Sequence, residues 1–322
     1  FLLFSMVVSF FSISEVKGIR FSDGDIHYYI NDSFSFSEDI ILEGNTTLVI
    51  ENATVEFVQT THNQYGIELK GTITGSPYLK IKNATFKSSK RFKFSLFGAS
   101  RADVEMLKFE GVGGKRSAVK LYENASFSAF DSKIPSLYCY DFASLKIIST
   151  DSSYIYTYDH SYAEILSSEI YYIKAYGSSN MNISLSDVLS SITAVDNSLV
   201  SCSISSLIGK ATSQENSTIL LVECDVYQFK LTVQDYGNVT LQDVTSTPSK
   251  YPGEFEIYDE SGVSLISSKL NDMIFKVKGN SSLKVMSSYV TSSVFYFYDF
   301  SEVEFKNSKI DWIVESLSLI HI

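Results

Sequence analysis

A single repeat runs through most of this 322-residue chain and limits what it can fold into. When the chain is aligned on a small or acidic residue such as Asp141, apolar residues recur four and six positions later, here Leu145 and Ile147. This register occurs at thirteen turn positions, namely Gly44, Gly75, Ser100, Glu123, Asp141, Asp159, Gly177, Asp196, Glu215, Asp235, Asp259, Gly279 and Asp299. Successive turns lie 18 to 31 residues apart and are most regular between 123 and 215.

A second apolar pair precedes most turns, at two and four positions before them, although Ala211 and Ser213 before Glu215 fit poorly. Alternation with a period of two indicates strands that each have one buried face. A repeat of about 20 residues is too short for a strand and a crossover helix, but it accommodates two or three short strands with tight corners. One such coil buries its apolar face only by stacking on the next coil.

The pattern resembles the right-handed parallel β-helix, or pectin-lyase-like, superfamily over roughly residues 40 to 312. We therefore predict an all-β chain that forms a right-handed parallel β-helix of roughly 12–13 coils over residues 43–312. Residues 19–42 are interpreted as a lead-in that caps the open N-terminal end, where strand edges would otherwise be exposed. Left-handed β-helices, leucine-rich repeats and β-sandwiches do not account for the spacing as well.

Both ends of the chain differ from the repeat. The apolar run FLLFSMVVSFF resembles the hydrophobic region of a signal peptide whose start is missing, so residues 1–18 are interpreted as that peptide. The alternative is an N-terminal core strand. The closing residues SLSLIHI break the repeat, and residues 313–322 are interpreted as a tail of artefactual origin.

Nine Asn-x-Ser/Thr sequons favour an exported glycoprotein, at the cell surface or outside the cell: Asn31, Asn45, Asn52, Asn83, Asn124, Asn182, Asn216, Asn238 and Asn280. The net charge of −11 disfavours nucleic acid as a partner, because phosphates would be repelled. Cys139, Cys202 and Cys224 have no zinc-binding spacing and are predicted to be small core residues. We predict no metal and no cofactor.

Two columns of recurrent side chains carry the candidate chemistry. The Asp residues at the turn positions are either turn residues or a carboxylate row that binds Ca²⁺ or acts as acid and base, and turn chemistry is favoured because Gly and Ser occupy equivalent positions. Tyrosines on strands that precede the turns are predicted to point outward, where they form either a cross-strand ladder or a surface that stacks on sugar rings. The candidate ligand-binding residues are Tyr122, Tyr138, Tyr140, Tyr156, Tyr158 and Tyr176.

The resemblance implies lyases with an Arg or Lys base beside Ca²⁺-binding Asp, and hydrolases with clustered Asp and His. Neither cluster falls on adjacent repeats, and Lys174 near Asp159 is the nearest approach. The inserted loops hold His62 to Tyr65 and the basic residues Lys87, Lys90, Arg91 and Lys93. This basic stretch is either a solvated loop, which is the favoured interpretation, or a site for an acidic glycan. We predict a secreted or surface scaffold or adhesin without a catalytic site, with polysaccharides, cell-surface glycans or surface proteins as partners; the alternative is a carbohydrate-active enzyme on the same fold.

Overall fold

The computed structural model describes residues 15–16, 19–247 and 249–316. Their strands join in one continuous sheet in which every pairing is parallel, and the chain winds as a β-solenoid of about 15 turns. The predicted all-β parallel coil is therefore confirmed, with a few more turns than the 12–13 expected. Stacking at about 4.8 Å per coil gives a rod of about 70 Å.

The strands of the first coils are β1 Glu15–Val16, β2 Ile19–Phe21, β3 Ile26–Ile30, β4 Ser33–Phe36, β5 Ile40–Glu43, β6 Thr47–Glu51, β7 Thr54–Phe57, β8 Gly66–Lys70, β9 Tyr78–Lys87, β10 Lys93–Phe97 and β11 Arg101–Glu110. One short helix, α1 Gly111–Gly114, follows β11.

The middle coils contain β12 Ala118–Leu121, β13 Ser126–Phe130, β14 Lys133–Cys139, β15 Ser144–Ile148, β16 Asp151–Thr157, β17 Tyr162–Leu166, β18 Glu169–Ala175, β19 Asn180–Ser184, β20 Asp187–Ala194, β21 Leu199–Ser203 and β22 Ser206–Ser213.

The last coils contain β23 Thr218–Val222, β24 Asp225–Val233, β25 Asn238–Gln242, β26 Thr245–Thr247, β27 Gly253–Ile257, β28 Gly262–Ile266, β29 Lys269–Asn271, β30 Met273–Val277, β31 Ser282–Met286, β32 Tyr289–Phe297, β33 Glu302–Lys306 and β34 Lys309–Ser316.

Three faces surround the core. Face 1 contains the strand after each turn position, as in β15, which pairs with β13 and β17. Face 2 is short and is formed by the first residues of strands such as β16. Face 3 is formed by the later residues of the same strands, and it leads into the next turn. In the early coils, loops or α1 separate faces 2 and 3.

The core positions follow the predicted alternation. Leu145 and Ile147 are fully buried. Ala211 and Ser213, which fit the apolar pattern poorly, are fully buried as well, so their side chains also point inward. The Ser213 hydroxyl is satisfied there by the Ser217 carbonyl at 3.0 Å. All three cysteines are buried and free, as predicted for core residues.

The turn column has a conformational cause. Eleven of the thirteen predicted turn residues have a positive φ, for example +57° at Asp141 and +66° at Gly177. Only Gly and short polar residues adopt this left-handed region readily, which explains their recurrence. Gly75 and Ser100 do not share the conformation, and in the latter coil Gly98 takes the left-handed position instead, with φ +63°.

The two ends of the solenoid differ from the predicted boundaries. The segment 19–42, expected as a cap, forms solenoid strands itself, because β2, β3 and β4 pair in parallel with β5, β6 and β7. Its Phe21, Phe36 and Ile40 are buried in the same core. At the other end β34 runs to Ser316, four residues beyond the predicted end at 312. The proposed signal peptide lies outside the described residues except for 15–16, as does the tail beyond 316.

Candidate functional site

The six predicted tyrosines lie together on face 3 and, with one more ring, form the tyrosine stripe, defined here as Phe97, Tyr122, Tyr138, Tyr140, Tyr156, Tyr158 and Tyr176. Phe97, Tyr122, Tyr140, Tyr158 and Tyr176 stack on consecutive coils, with ring centroids 4.8–5.1 Å apart and planes within 7° of parallel. Tyr138 and Tyr156 form a second stack beside the first, at 4.7 Å.

Parallel register produces this stack. Tyr138 and Tyr156 are direct partners on adjacent strands, so identical side chains meet at the strand spacing. Phe97 was not predicted because the sequence was aligned on Ser100, whereas the left-handed Gly98 would have placed Phe97 directly before the turn. The column beside Tyr138 continues to Lys174, whose ammonium lies 5.3 Å from the ring centre of Tyr172 and 5.9 Å from that of Tyr176.

The stack changes what the tyrosines can offer to a ligand. Their ring faces cover one another along the rod, and the side chains are only partly exposed. Within the described residues the hydroxyls of Tyr138, Tyr140 and Tyr158 have no hydrogen-bond partner. Burial is the main cause that raises the pKa of Tyr140 to about 12, and the neighbouring phenols Tyr158 and Tyr122 add to it. The Tyr140 hydroxyl therefore stays a proton donor at neutral pH. The stripe therefore presents ring edges and hydroxyl groups, and the ring faces between stacked neighbours are not free for sugar stacking.

The Asp column at the turns makes backbone contacts along the rod. Asp141 accepts a hydrogen bond from the backbone N–H of Glu123 at 3.0 Å, and Asp196 accepts one from that of Gly177 at 2.9 Å. Equivalent contacts join Asp259 to Asp235 and Asp299 to Gly279 at 3.4 Å. These carboxylates bind the turn of the preceding coil, which supports the turn-residue interpretation. No group of three or more His, Cys, Asp or Glu among the residues placed by the structure is arranged to hold a metal ion.

Two places on the surface that contain carboxylates are the candidates for an acid–base pair. A concavity of about 390 Å³ on face 1 is lined by Tyr162, Glu164, Asn182 and small serines. Its single carboxylate, Glu164, is bound by Lys146 at 3.0 Å. This arrangement has no second carboxylate to act with Glu164.

The other place is a network of ion pairs on face 3, in which Lys230 and Lys276 each bind both Glu254 and Glu256. Hydrogen bonds from Lys230 and Lys276 lower the pKa of Glu254. The pKa of Glu256 is also lowered, because hydrogen bonds from Lys230 and Tyr258 together outweigh its burial. Both carboxylates are thus held ionised, whereas a general acid needs a raised pKa.

The sequons lie at accessible positions. All nine asparagines are exposed except Asn182, which is half-buried and donates a hydrogen bond to the Tyr162 hydroxyl at 3.2 Å. Asn31, Asn52 and Asn83 lie at the second corner of the coil, which leads from face 1 into face 2. They have φ of +47° to +56°, a left-handed conformation that Asn tolerates. Turn geometry therefore accounts for some of the nine sequons, and glycosylation stays a prediction.

The described residues contain no helix that is both long and apolar enough to cross a membrane. No family model, curated protein sequence or solved structure matches this chain. The solenoid architecture and the stripe on its third face are therefore the basis for assigning a function, and the chain is placed structurally as a parallel β-solenoid of about 15 turns.

Proposed function

We propose that this chain is a secreted or cell-surface scaffold of the pectin-lyase-like type that binds a glycan along the tyrosine stripe. The observation that carries the proposal is the stacking of tyrosines on consecutive coils with hydroxyls that have no partner among the described residues. A polymer laid along the rod meets an equivalent hydroxyl on the successive coils of Tyr122, Tyr140 and Tyr158, at the 4.9 Å step of the rings. Such repeated, weak hydrogen bonds gain strength through their number.

The mode of contact is edge-on. Because the ring faces between stacked neighbours are covered, sugar hydroxyls would exchange hydrogen bonds with the phenols and pack against ring edges. The accessible sequons and the apolar N-terminal run support an extracellular location for this role. Surface proteins are a second class of partner for the same stripe, since exposed aromatic patches also mark protein interfaces.

The test separates hydroxyl contacts from stacking. Changing Tyr138, Tyr140 and Tyr158 to Phe keeps the stacked rings and removes three hydroxyls. We expect binding to a neutral-glycan array to weaken by about tenfold or more, since a neutral hydrogen bond is worth roughly 0.5–1.5 kcal/mol, while the melting temperature shifts little. The matched control changes Tyr296 and Tyr298 to Phe; these stacked rings lie on the same face near the C-terminal end, outside the stripe.

Three results would count against the proposal. Unchanged glycan affinity in the triple Phe variant would exclude the hydroxyls as contacts. Equal loss in the control variant would show that the effect is not specific to the stripe. Release of new reducing or unsaturated ends from polysaccharides would instead favour the carbohydrate-active enzyme.

A further inference from the structure

Positive charge in this acidic protein is concentrated in one part of the chain. Residues 80–133 contain twelve Lys and Arg against five Asp and Glu, a net charge of +7, so the rest of the chain carries −18. The density is highest at the corner between faces 2 and 3. Three successive loops meet there, at residues 58–65, 88–92 and 111–117; we call them the basic corner.

The basic corner holds cations that are not neutralised. Its three loops contain no Asp or Glu. Lys90, Arg91, Lys115 and Arg116 form no ion pair with any residue the structure describes, and all but Lys90 are exposed. At the border of the corner Lys87 is bound by Glu110 at 3.4 Å, so its charge is neutralised, unlike those in the loops.

Hydrogen bonds fix these loops to one another through groups other than the charged side chains. The Gln59 amide donates to the carbonyls of Lys90 at 3.2 Å and Arg91 at 3.0 Å. The N–H of Arg91 donates to His62 Nδ1 at 3.1 Å. The N–H of Phe92 donates to Ser117 Oγ at 3.0 Å, so these two residues meet on adjacent coils. Arg91 precedes Phe92 and Arg116 precedes Ser117, and the backbones of the two arginines are therefore neighbours.

The packing beneath the cations is tight. A Cβ at Gly113 would lie 1.9 Å from the carbonyl carbon of Lys90, so only glycine allows this approach of α1 to the preceding loop. The backbone of the corner is thereby fixed before any ligand arrives, while the guanidinium and ammonium groups stay available. Preorganisation of this kind reduces the entropy lost on binding.

We propose that the basic corner binds a sulfated glycan. Guanidinium groups bind tetrahedral and planar oxyanions with paired hydrogen bonds. Adjacent coils lie about 4.8 Å apart, so the two arginines suit anionic groups that are densely spaced along a chain. The corner opens onto face 3, where Lys120 and the tyrosine stripe follow, so a sugar polymer leaving the corner meets hydroxyl groups. A polyanion that extends beyond the corner meets the −18 charge of the rest of the chain, so the corner suits a short sulfated segment better than a long nucleic acid.

This inference rests on the proposed function only for the class of ligand, because the site and its residues are separate from the stripe. The probe is heparin, and the variant is Arg91→Ser with Arg116→Ser in the full chain. Arg91 enters the loop hydrogen bonds through backbone atoms only, so the fold should be retained, as judged by melting temperature. We expect heparin affinity to fall at least about tenfold, since hydrogen bonds to charged groups are worth roughly 1.5–3 kcal/mol each.

The control is Lys269→Ser with Lys284→Ser, which removes the same charge at exposed positions far along the rod. Because these surface charges lie outside the proposed site, heparin affinity should stay within about twofold of that of the native protein. Equal loss in this control, or equal affinity of the native protein for desulfated heparin or duplex DNA, would overturn the proposal. If both proposals hold, the triple Phe variant of the stripe should still bind heparin at the basic corner. Heparin binding without any neutral-glycan binding would refute the proposed function while supporting this inference.

Discussion

The rings of Tyr140 and Tyr158 stack on adjacent coils with centroids 4.9 Å apart and planes 7° from parallel. Their separation equals the strand spacing, so the stack is a direct product of the parallel register. It binds the two coils together and also covers the ring faces that a sugar would otherwise occupy. The same contact thus stabilises the solenoid and determines how a ligand can approach it.

We predict energetic coupling between these two rings. A double-mutant cycle with Tyr140→Ala and Tyr158→Ala should give a coupling free energy of about 0.5–1.5 kcal/mol in urea unfolding, because aromatic pairs contribute beyond their buried area. A cycle that pairs Tyr140→Ala with Tyr258→Ala, several coils away, should be additive within about 0.5 kcal/mol. Coupling of equal size in both cycles would mean that the stack is not the cause.

Stability should fall at alkaline pH. Burial raises the pKa of Tyr29 to about 12. The pKa of Tyr140 is also raised to about 12, mainly by burial and further by the neighbouring phenols. An unfolded tyrosine ionises near 10. Because the folded pKa is the higher one, this contribution to stability is full below about pH 10 and is lost as the pH rises through about 12. Urea midpoints measured across this range should decline, and less steeply in Tyr140→Phe. Tyr236→Phe, which removes an exposed phenol, should leave the decline unchanged.

A buried serine ladder at the second corner should be sensitive to single deletions. Ser168 Oγ accepts the N–H of Thr150 at 3.1 Å and donates to the carbonyl of Leu166 at 2.8 Å. Ser168→Ala leaves the buried N–H of Thr150 without a partner, which should cost about 1–3 kcal/mol of unfolding free energy. The exposed Ser153→Ala should cost less than about 0.5 kcal/mol. Similar losses for the two variants would show that the ladder contributes nothing specific.

Ile204 should be replaceable with a gain in stability. It is 55% exposed and has φ +49°, a conformation that a β-branched residue adopts at a cost of about 1–2 kcal/mol. Glycine relieves this strain and loses up to about 1 kcal/mol through greater freedom in the unfolded chain. Ile204→Gly should therefore stabilise the protein by a few tenths to about 1 kcal/mol in chemical unfolding. Val222→Gly, within a strand, should destabilise it, and a loss in both variants would contradict the strain.

Much of the fold was predictable because it repeats. Alternation placed Leu145 and Ile147 in the core, and the recurrence of Asp, Gly and Ser marked the corners, since a left-handed φ selects for those residues. The first coil was missed because the residues that pair with the core positions Leu48 and Ile50 of the next coil are His27 and Tyr29, which are not an aliphatic pair. The Gly98 corner was misplaced by two residues, which also hid Phe97 from the stripe.

The sequence alone determined which side chains face outward on each coil, because that depends only on alternation along one strand. It therefore placed the six tyrosines on a common surface. Only the tertiary structure decided that their ring faces cover one another and that Arg91 lies beside Arg116. Those relationships depend on the distance between coils and on hydrogen bonds between loops that are 25 residues apart, such as that from Phe92 to Ser117, and local sequence patterns do not encode contacts of that kind.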